Sequence, residues 1–415
     1  MIDIDLIGYD PQRALDYASA FSRPRLVGTD AEKSVGQEIA ACLESFGFQV
    51  EPQAFSFSTA PDSFLTLEIL FSQILILLTL WLHWLDSPAR TISALFLIIL
   101  ISLAGPLYRS VQDNCTLPET SKPAAAWSVL CSRLGKRYAT LNYYARLPGM
   151  PAGPGAMQLI LVAHYDSKSQ RLPLILRIAL FVVGIGGSLV FAVSILFSSF
   201  YAPLAAIGIL AGGLSLLADL PLLFLDRGNA SSGAIDDASG LGVVLHLAEV
   251  LAAQPDIAHQ VGLSVLITSA EEFGTLGATA FVRQNSEQLH LQDRDSRLYV
   301  LNFDGPGVDG KLYWVGGDRP GKQASEPCLS FLVPQACAEL DYHLGKFSLP
   351  GALFDHLPFT HHGFDAGSLI SIGRASLSIH TSRDSVDQLH IRGFEQAGRV
   401  ALQIIGKLQT PSKVE

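Results

Sequence analysis

The chain has 415 residues, enough for one large domain or two modest ones. Only 16% of them are charged, against roughly 25% in an ordinary soluble domain, while the hydrophobic share of 49% is near normal, so charge is missing from particular stretches. A net charge of -10 with no basic block argues against nucleic acid as a partner; five cysteines (Cys42, Cys115, Cys131, Cys328, Cys337) with no Cys-x-x-Cys pair argue against a disulfide framework or a thiolate zinc site.

The opening MIDIDLIGYDPQR lacks the basic start and apolar core of a secretory signal. Residues 31–46 carry Val35, Ile39, Ala40 and Leu43 at helical spacing, with Gly47 as a stop, and 48–57 alternate as a strand does. Residues 64–85 are then almost wholly apolar, 86–90 make a polar turn, and 91–108 are apolar again. Residues 110–127 read as a linker, and 158–163 as a short buried strand ending at His164. A second apolar pair occupies 178–200 and 204–225. Each run approaches the roughly 20 helical residues that cross a hydrocarbon core, so two transmembrane hairpins are expected; four buried helices of a large soluble core are the alternative. Gly184, Gly186, Gly187, Gly208, Gly212 and Gly213 suit close helix contacts in lipid. Glu68 and Asp219 fall near span ends, within reach of the interface, and Gln73 is expected to face another helix.

Two hairpins, 63–108 and 172–225, make an even number of crossings. The segments 1–62, 109–171 and 226–415 then lie on one side as a discontinuous soluble domain. Arg109, Lys168, Arg171, Arg177 and Arg227 flank the spans on that side, against Arg90 alone on the other, which predicts a cytoplasmic catalytic side. Further on, 241–253 read as a helix, 261–268 as a strand, 277–285 as a helix and 298–303 as a strand. This alternation implies an α/β fold with a largely parallel sheet covered on both faces. Sites in such sheets form beyond the carboxyl ends of strands, and His164, Glu271 and Asp304 each follow an apolar run.

Five short segments carry the chemistry: His164-Tyr165-Asp166, Asp236-Asp237 in GAIDDASG, Glu271-Glu272 in SAEEFGTLGA, Asp304 in LNFDGPG and His380 in SIHTSRDS. Together they supply the imidazoles and carboxylates of a two-metal hydrolytic site, with one carboxylate to spare as a base. Each alone has an ordinary reading: a strand end for His164, a capping turn for Asp236-Asp237, a solvated first helical turn for Glu271-Glu272, a plain turn at Asp304, a surface position for His380. His246 reads as structural within its helix, and His361-His362 as a loop face. GGDRPGK at 316–322 departs from a phosphate loop at Gln323, and the sequons at Asn114 and Asn229 carry little weight. The chain has no Gly-x-Ser-x-Gly elbow and no His-Glu-x-x-His helix.

Taken in order, Arg23-Pro-Arg-Leu-Val-Gly-Thr29, HYDS, GAIDDASG, AEEFGTLGA, LNFDG, DHLPF and HTSRDS resemble the zinc metallopeptidase family of bacterial leucyl aminopeptidase, aminopeptidase Y and glutamate carboxypeptidase (peptidase family twenty-eight). The resemblance covers most of the soluble chain and excludes the membrane spans. It implies a three-layer α/β/α sandwich with a mixed, mostly parallel sheet, here interrupted by the two transmembrane helical hairpins. It implies two zinc ions: His164 and Asp304 would hold one, Glu272 and His380 the other, and Asp236 would bridge them. Glu271 would be the general base and Asp166 would fix the tautomer of His164. The Asp236-Asp237 peptide would be cis, and Asp355-His356 would border the site. The implied activity is removal of N-terminal residues from peptide substrates by an aminopeptidase anchored in the lipid bilayer. Two readings compete with it. A zinc glutaminyl cyclase of the same fold suits HYDSK and DHLPF and would hold one zinc; a catalytically inactive membrane receptor would be signalled by loss of a ligand or base.

Overall fold

A computed structural model describes residues 8–118, 126–131, 133–149, 157–295, 297–316, 328–348 and 351–409. Helix α1 (Pro11–Phe21) starts at Asp10, whose side chain accepts from the Gln12 N–H, and Thr29 caps α2 (Asp30–Ser45) in the same way through the Glu32 N–H. Val35, Ile39 and Leu43 form the buried stripe of α2. Strand β1 (Gln49–Ser58) leads into the first apolar pair, α3 (Ala60–Trp84) and α4 (Ala89–Asn114). Then come β2 (Thr116–Pro118), α5 (Ala126–Cys131), β3 (Arg137–Arg146), β4 (Met157–His164) and β5 (Ser169–Gln170). The second pair is α6 (Leu174–Phe197) and α7 (Pro203–Leu222), followed by β6 (Arg227–Gly228). The remainder runs α8 (Ser239–Ala252), α9 (Pro255–Val261), β7 (Leu263–Thr268), α10 (Leu276–Asp295), β8 (Arg297–Phe303) and β9 (Gly310–Gly316). It ends with α11 (Leu329–Glu339), β10 (Leu344–Lys346), α12 (His356–His361), β11 (Asp365–Gly373) and α13 (Ile391–Gln409).

Nine strands form one mixed sheet in the order β10-β9-β11-β8-β4-β7-β3-β1-β2. The central β11, β8, β4 and β7 are mutually parallel; β9 and β3 join them antiparallel from the two sides. Side chains alternate between faces along each strand. Leu159, Leu161 and Ala163 of β4 meet α1, α2, α8 and α13 on one face, while Ile160 and Val162 meet Ala278, Phe281 and Val282 of α10 on the other. Both faces being covered, the central strands read as unbroken apolar runs, and the architecture is the expected three-layer sandwich.

Helices α3, α4, α6 and α7 are 20 to 26 residues long with mean hydropathy of 1.8 to 2.5, long and apolar enough to cross a membrane. Their outer faces expose residues such as Phe71, Ile74, Trp81, Phe96, Val182 and Leu210. Thr79 bonds Ser93 at 2.7 Å between α3 and α4, and Ser188 bonds Ser215 at 2.8 Å between α6 and α7. A Cβ at Gly187 would lie 2.9 Å from the Ala211 carbonyl, and one at Gly212 2.9 Å from Phe191, so these glycines let α6 and α7 close. A Cβ at Gly184 would meet the Asp219 carboxylate and one at Gly208 would lie 3.1 Å from Ser194, but Gly186 and Gly213 face open space, so a contact role for all six is corrected to four.

Other expectations also shift. Helix α4 runs on to Asn114, so that α4, β2 and the start of α5 take up 110–114, 116–118 and 126–127 of the stretch read as linker; 119–125 lie outside the described residues, as do 317–322 of GGDRPGK. Helix α10 continues to Asp295, well beyond 285, and Val261 ends α9 where a strand start was expected. Each hairpin leaves and re-enters the sandwich through an antiparallel bridge: Phe57 opposite Thr116 for the first, Ser169 opposite Gly228 for the second.

Candidate metal centre

His164 is the last residue of β4, and Asp304 directly follows β8. Glu271 and Glu272 lie in a single 3-10 turn (Glu271–Phe273) just past β7, and Asp236 in an irregular turn (Ala234–Ala238) leading into α8. His380 comes from the loop after β11, with a left-handed backbone (φ 64°). Ala270 (φ 58°) and Thr275 (φ 56°) bracket the Glu271 turn in the same conformation. Non-glycine residues held there cost about 1–3 kcal/mol each, so the surrounding packing fixes these loops. The Asp236-Asp237 peptide is cis.

One ligand atom from each of His164, Asp236 and Asp304 lies within 4.8 Å of the others, and the same holds for Asp236, Glu272 and His380. Asp236 belongs to both groups: its Oδ1 is 2.9 Å from Nε2 of His164 and its Oδ2 is 2.9 Å from Nε2 of His380. The Glu272 Oε2 is 3.1 Å from the same His380 nitrogen. Ligands of a tetrahedral zinc, with bonds of about 2.0–2.1 Å, stand roughly 3.3–3.5 Å apart, so imidazole and carboxylate atoms at these spacings fit zinc after small adjustments. Glu271 is in neither group; its Oε2 is 3.9 Å from Nε2 of His164. One contact conflicts with a metal on Nε2 of His380. Arg177 donates to Nδ1 at 3.0 Å, a guanidinium only donates, and zinc on Nε2 leaves Nδ1 protonated, so this contact must yield when zinc binds.

The neighbouring groups set orientation. The main-chain carbonyl of Asp166 lies 3.1 Å from Nδ1 of His164, nearer than its carboxylate at 3.5 Å. That carboxylate instead accepts the Glu271 N–H at 3.1 Å and the Glu272 N–H at 3.2 Å. Asp237 turns away from the ligands and accepts backbone N–H groups of His164, Gly240 and Gly305. Asp384, in HTSRDS, accepts the Ile235 N–H at 2.7 Å and so holds the turn of Asp236. Arg25, fully buried, donates to the carbonyls of Tyr165, Ser232 and Gly233, pinning the His164 loop to the Asp236 loop. Lys168 pairs with Glu272 at 2.6 Å.

Burial pushes the Glu271 carboxyl well above the usual carboxylate range; His164 opposes this, and Asp304 and Glu272 add to it. Burial works the same way on Glu272, but His380 and Lys168 outweigh it and Asp236, and hold that carboxyl down at about 2. Burial also raises Asp237, to about 8. The two acids of the Glu271-Glu272 pair are thus driven in opposite directions, Glu271 upward and Glu272 downward.

The remaining histidines sort simply. His246 accepts the Asp10 N–H at 2.8 Å and docks α1 on α8, a structural role as expected. Nδ1 of His362 bonds the Pro358 carbonyl away from the centre. Asp355 and His356 are buried; Thr268 donates to Asp355, and His356 bonds Ser368 at 2.6 Å. Lys168, Arg177, Arg227 and Asp384 make contacts with the candidate centre that sequence reasoning did not assign. The signal for Asp384 was available in HTSRDS; the three cations were read only as flanking charge.

The model for Peptidase family M28 matches residues 142–405, a stretch that takes in every candidate ligand. The alkaline phosphatase isozyme conversion protein of Escherichia coli (strain K12) is 38% identical over 85 residues, 20% of this chain and 23% of that protein, so the chain spans less than a quarter of this relative's length. Among solved structures, BSAP, a zinc aminopeptidase from Bacillus subtilis, superimposes with a TM-score of 0.54 over 99% of this chain and 97% of its own at 14% identity. The Porphyromonas gingivalis glutaminyl cyclase does so with 0.51 over 98% and 99% at 16% identity. At such identities the structures share a fold. The family match, over most of the length, is what places the chain: it belongs to peptidase family M28, the zinc metallopeptidase family whose motifs it carries.

Proposed function

We propose that this chain is a membrane-anchored aminopeptidase with two zinc ions. The observation that carries the two-ion reading is Asp236, whose two oxygens each face a different imidazole at 2.9 Å. His164 and Asp304 would hold one ion, Glu272 and His380 the other. Zinc in this setting would lower the pKa of a water and polarise the scissile carbonyl. Glu271, buried beside both groups but in neither, takes the proton of the attacking water and delivers it to the leaving amine. Asp166 aims Glu271 through its main-chain N–H, and Asp237 and Asp384 keep the Asp236 turn from moving.

Four apolar helices support anchoring in a bilayer, with the soluble segments on one side. Arg109 and Arg171 beside the spans favour the cytoplasmic face. Helix ends next to the centre support peptides near the membrane surface as substrates. Metal analysis of the purified chain, with a panel of aminoacyl amides, tests the reading: two zincs per chain and release of free amino acid are expected. One zinc per chain with pyroglutamate formation would point to a cyclase, and two tightly held zincs with no turnover to a receptor.

A further inference from the structure

The candidate ligands divide by what supports them. His164 and Asp304 hang on the ends of β4 and β8, inside the sheet. Glu271 and Glu272 ride on a turn that is tied to the ends of the membrane helices. Arg227, in β6 just past α7, donates from Nε to the Glu272 carbonyl at 3.0 Å. Its guanidinium lies 4.4 Å over the Phe273 ring and pairs with Asp62 in the first turn of α3. Gln112, in the last turn of α4, donates to the Gly274 carbonyl. Phe273 packs in one cluster with Ala60 of α3 and Val111 of α4. Two helix ends, of α3 and α4, and the strand that follows α7 therefore converge on this turn, which Ala270 and Thr275 bracket in left-handed conformations. Its own backbone bonds close on the Ala270 and Glu271 carbonyls, while the Glu272 and Gly274 carbonyls accept from side chains outside the turn.

We propose that Asp62, Gln112 and Arg227 are positioning residues: the hairpin ends hold Glu271 and Glu272 in register with the ligands on the sheet, making the membrane bundle part of the catalytic apparatus. The inference rests on the two-metal reading above. Asp62 and Gln112 touch no candidate ligand side chain, and Arg227 reaches Glu272 only at its main chain. Their effect would pass through placement, where an error of about 1 Å costs on the order of a hundredfold in rate.

The test uses the full chain in phosphatidylcholine nanodiscs, loaded with cobalt, whose visible absorption reports ligand geometry, with kinetics on an aminoacyl amide. Asp62→Ala and Gln112→Ala should each lower kcat about tenfold or more, leave KM within about threefold and alter the cobalt spectrum. Arg227→Ala should do more, and Arg227→Lys should recover part. Asp62→Asn serves if the alanine variant fails to fold. Variants that melt like the wild type with unchanged kcat and spectrum overturn the inference. So do variants that lose stability while the spectrum stays fixed, since the contacts would then be support only. A wild-type chain that takes up no cobalt overturns the two-metal reading itself.

Discussion

Replacing Asp166 by asparagine tests how the turn carrying Glu271 is held. The main-chain carbonyl of Asp166 is the nearer partner of His164 Nδ1, at 3.1 Å, and a side-chain substitution leaves it in place. The carboxylate accepts two buried N–H groups, at 3.1 Å from Glu271 and 3.2 Å from Glu272. An asparagine amide offers one acceptor oxygen, so one N–H keeps a partner and the other meets an NH2, donor against donor. A hydrogen bond to a charged group is worth about 1.5–3 kcal/mol, and a buried donor left unpaired costs about 1–3 kcal/mol. Where that loss falls on the placement of Glu271 in the transition state, kcat drops roughly ten- to a hundredfold, at about 1.4 kcal/mol per decade. Zinc content should stay at the wild-type value. Steady-state kinetics on an aminoacyl amide, with metal analysis of the same preparation, read both quantities. If the carboxylate instead served His164, zinc affinity would fall about 10- to 100-fold, as on removal of a ligand's supporting partner, with normal turnover at saturating zinc. That pattern would refute the division between carbonyl and carboxylate.

Glu271→Gln should retain metal and lose on the order of 10²–10⁴ in kcat; cleavage at the wild-type rate would remove Glu271 from the role of base. Asp236→Ala takes a shared member from both ligand groups, so zinc per chain should fall together with activity, and unchanged stoichiometry would contradict the bridge. Burial pushes the Asp355 carboxyl up from 3.8 to about 7. The folded pKa then exceeds the unfolded one, so the native state holds the proton more tightly and stability falls as pH rises from about 4 through about 7, by at most about 4 kcal/mol. In EDTA-treated protein Asp355→Asn should flatten this fall, measured as denaturant midpoints across that range; parallel curves for variant and wild type would contradict it.

The parts of the fold legible in the sequence are those whose environment is uniform. Strands β4, β7 and β8 are buried on both faces and α3, α4, α6 and α7 expose apolar side chains outward, so each reads as an unbroken apolar run. The candidate ligands were legible because His164 and Asp304 close such runs and the acidic pairs sit in short motifs. Strand β9 was not: only Leu312 and Trp314 of its seven residues are buried, and its partner, β11, lies some distance along the chain, where Tyr313 pairs with Ile370. Contacts made across the fold were equally hidden. Lys168, Arg177 and Arg227 look like charges flanking a span, but their heads turn inward to Glu272, His380 and Asp62. Only Arg109 and Arg171 of the five remain as evidence from charge about the side of the membrane, against Arg90, which itself pairs with Asp86.

The bridges at the base of each hairpin explain how one sandwich can carry two large insertions. Residues facing each other across an antiparallel pair have Cα atoms about 4.5–5.5 Å apart, so a segment that leaves at Phe57 and returns at Thr116 asks nothing of the sheet beyond a turn. Ser169 and Gly228 face each other in the same way, in the separate two-stranded ribbon of β5 and β6. A tilt of a hairpin about such a base need not shear the strands. It acts first on groups at or just beyond the bridge, which here are Asp62, Gln112 and Arg227, and through them on the Glu271 turn. His164 and Asp304 stand on β4 and β8, whose registers are fixed by neighbours on both sides, and such a tilt leaves them where they are. On the reading of a two-metal, membrane-anchored enzyme, the ion held by Glu272 and His380 is therefore the one exposed to changes in the membrane. When metal is withdrawn gradually that ion should leave first, taking activity with it while one zinc per chain remains.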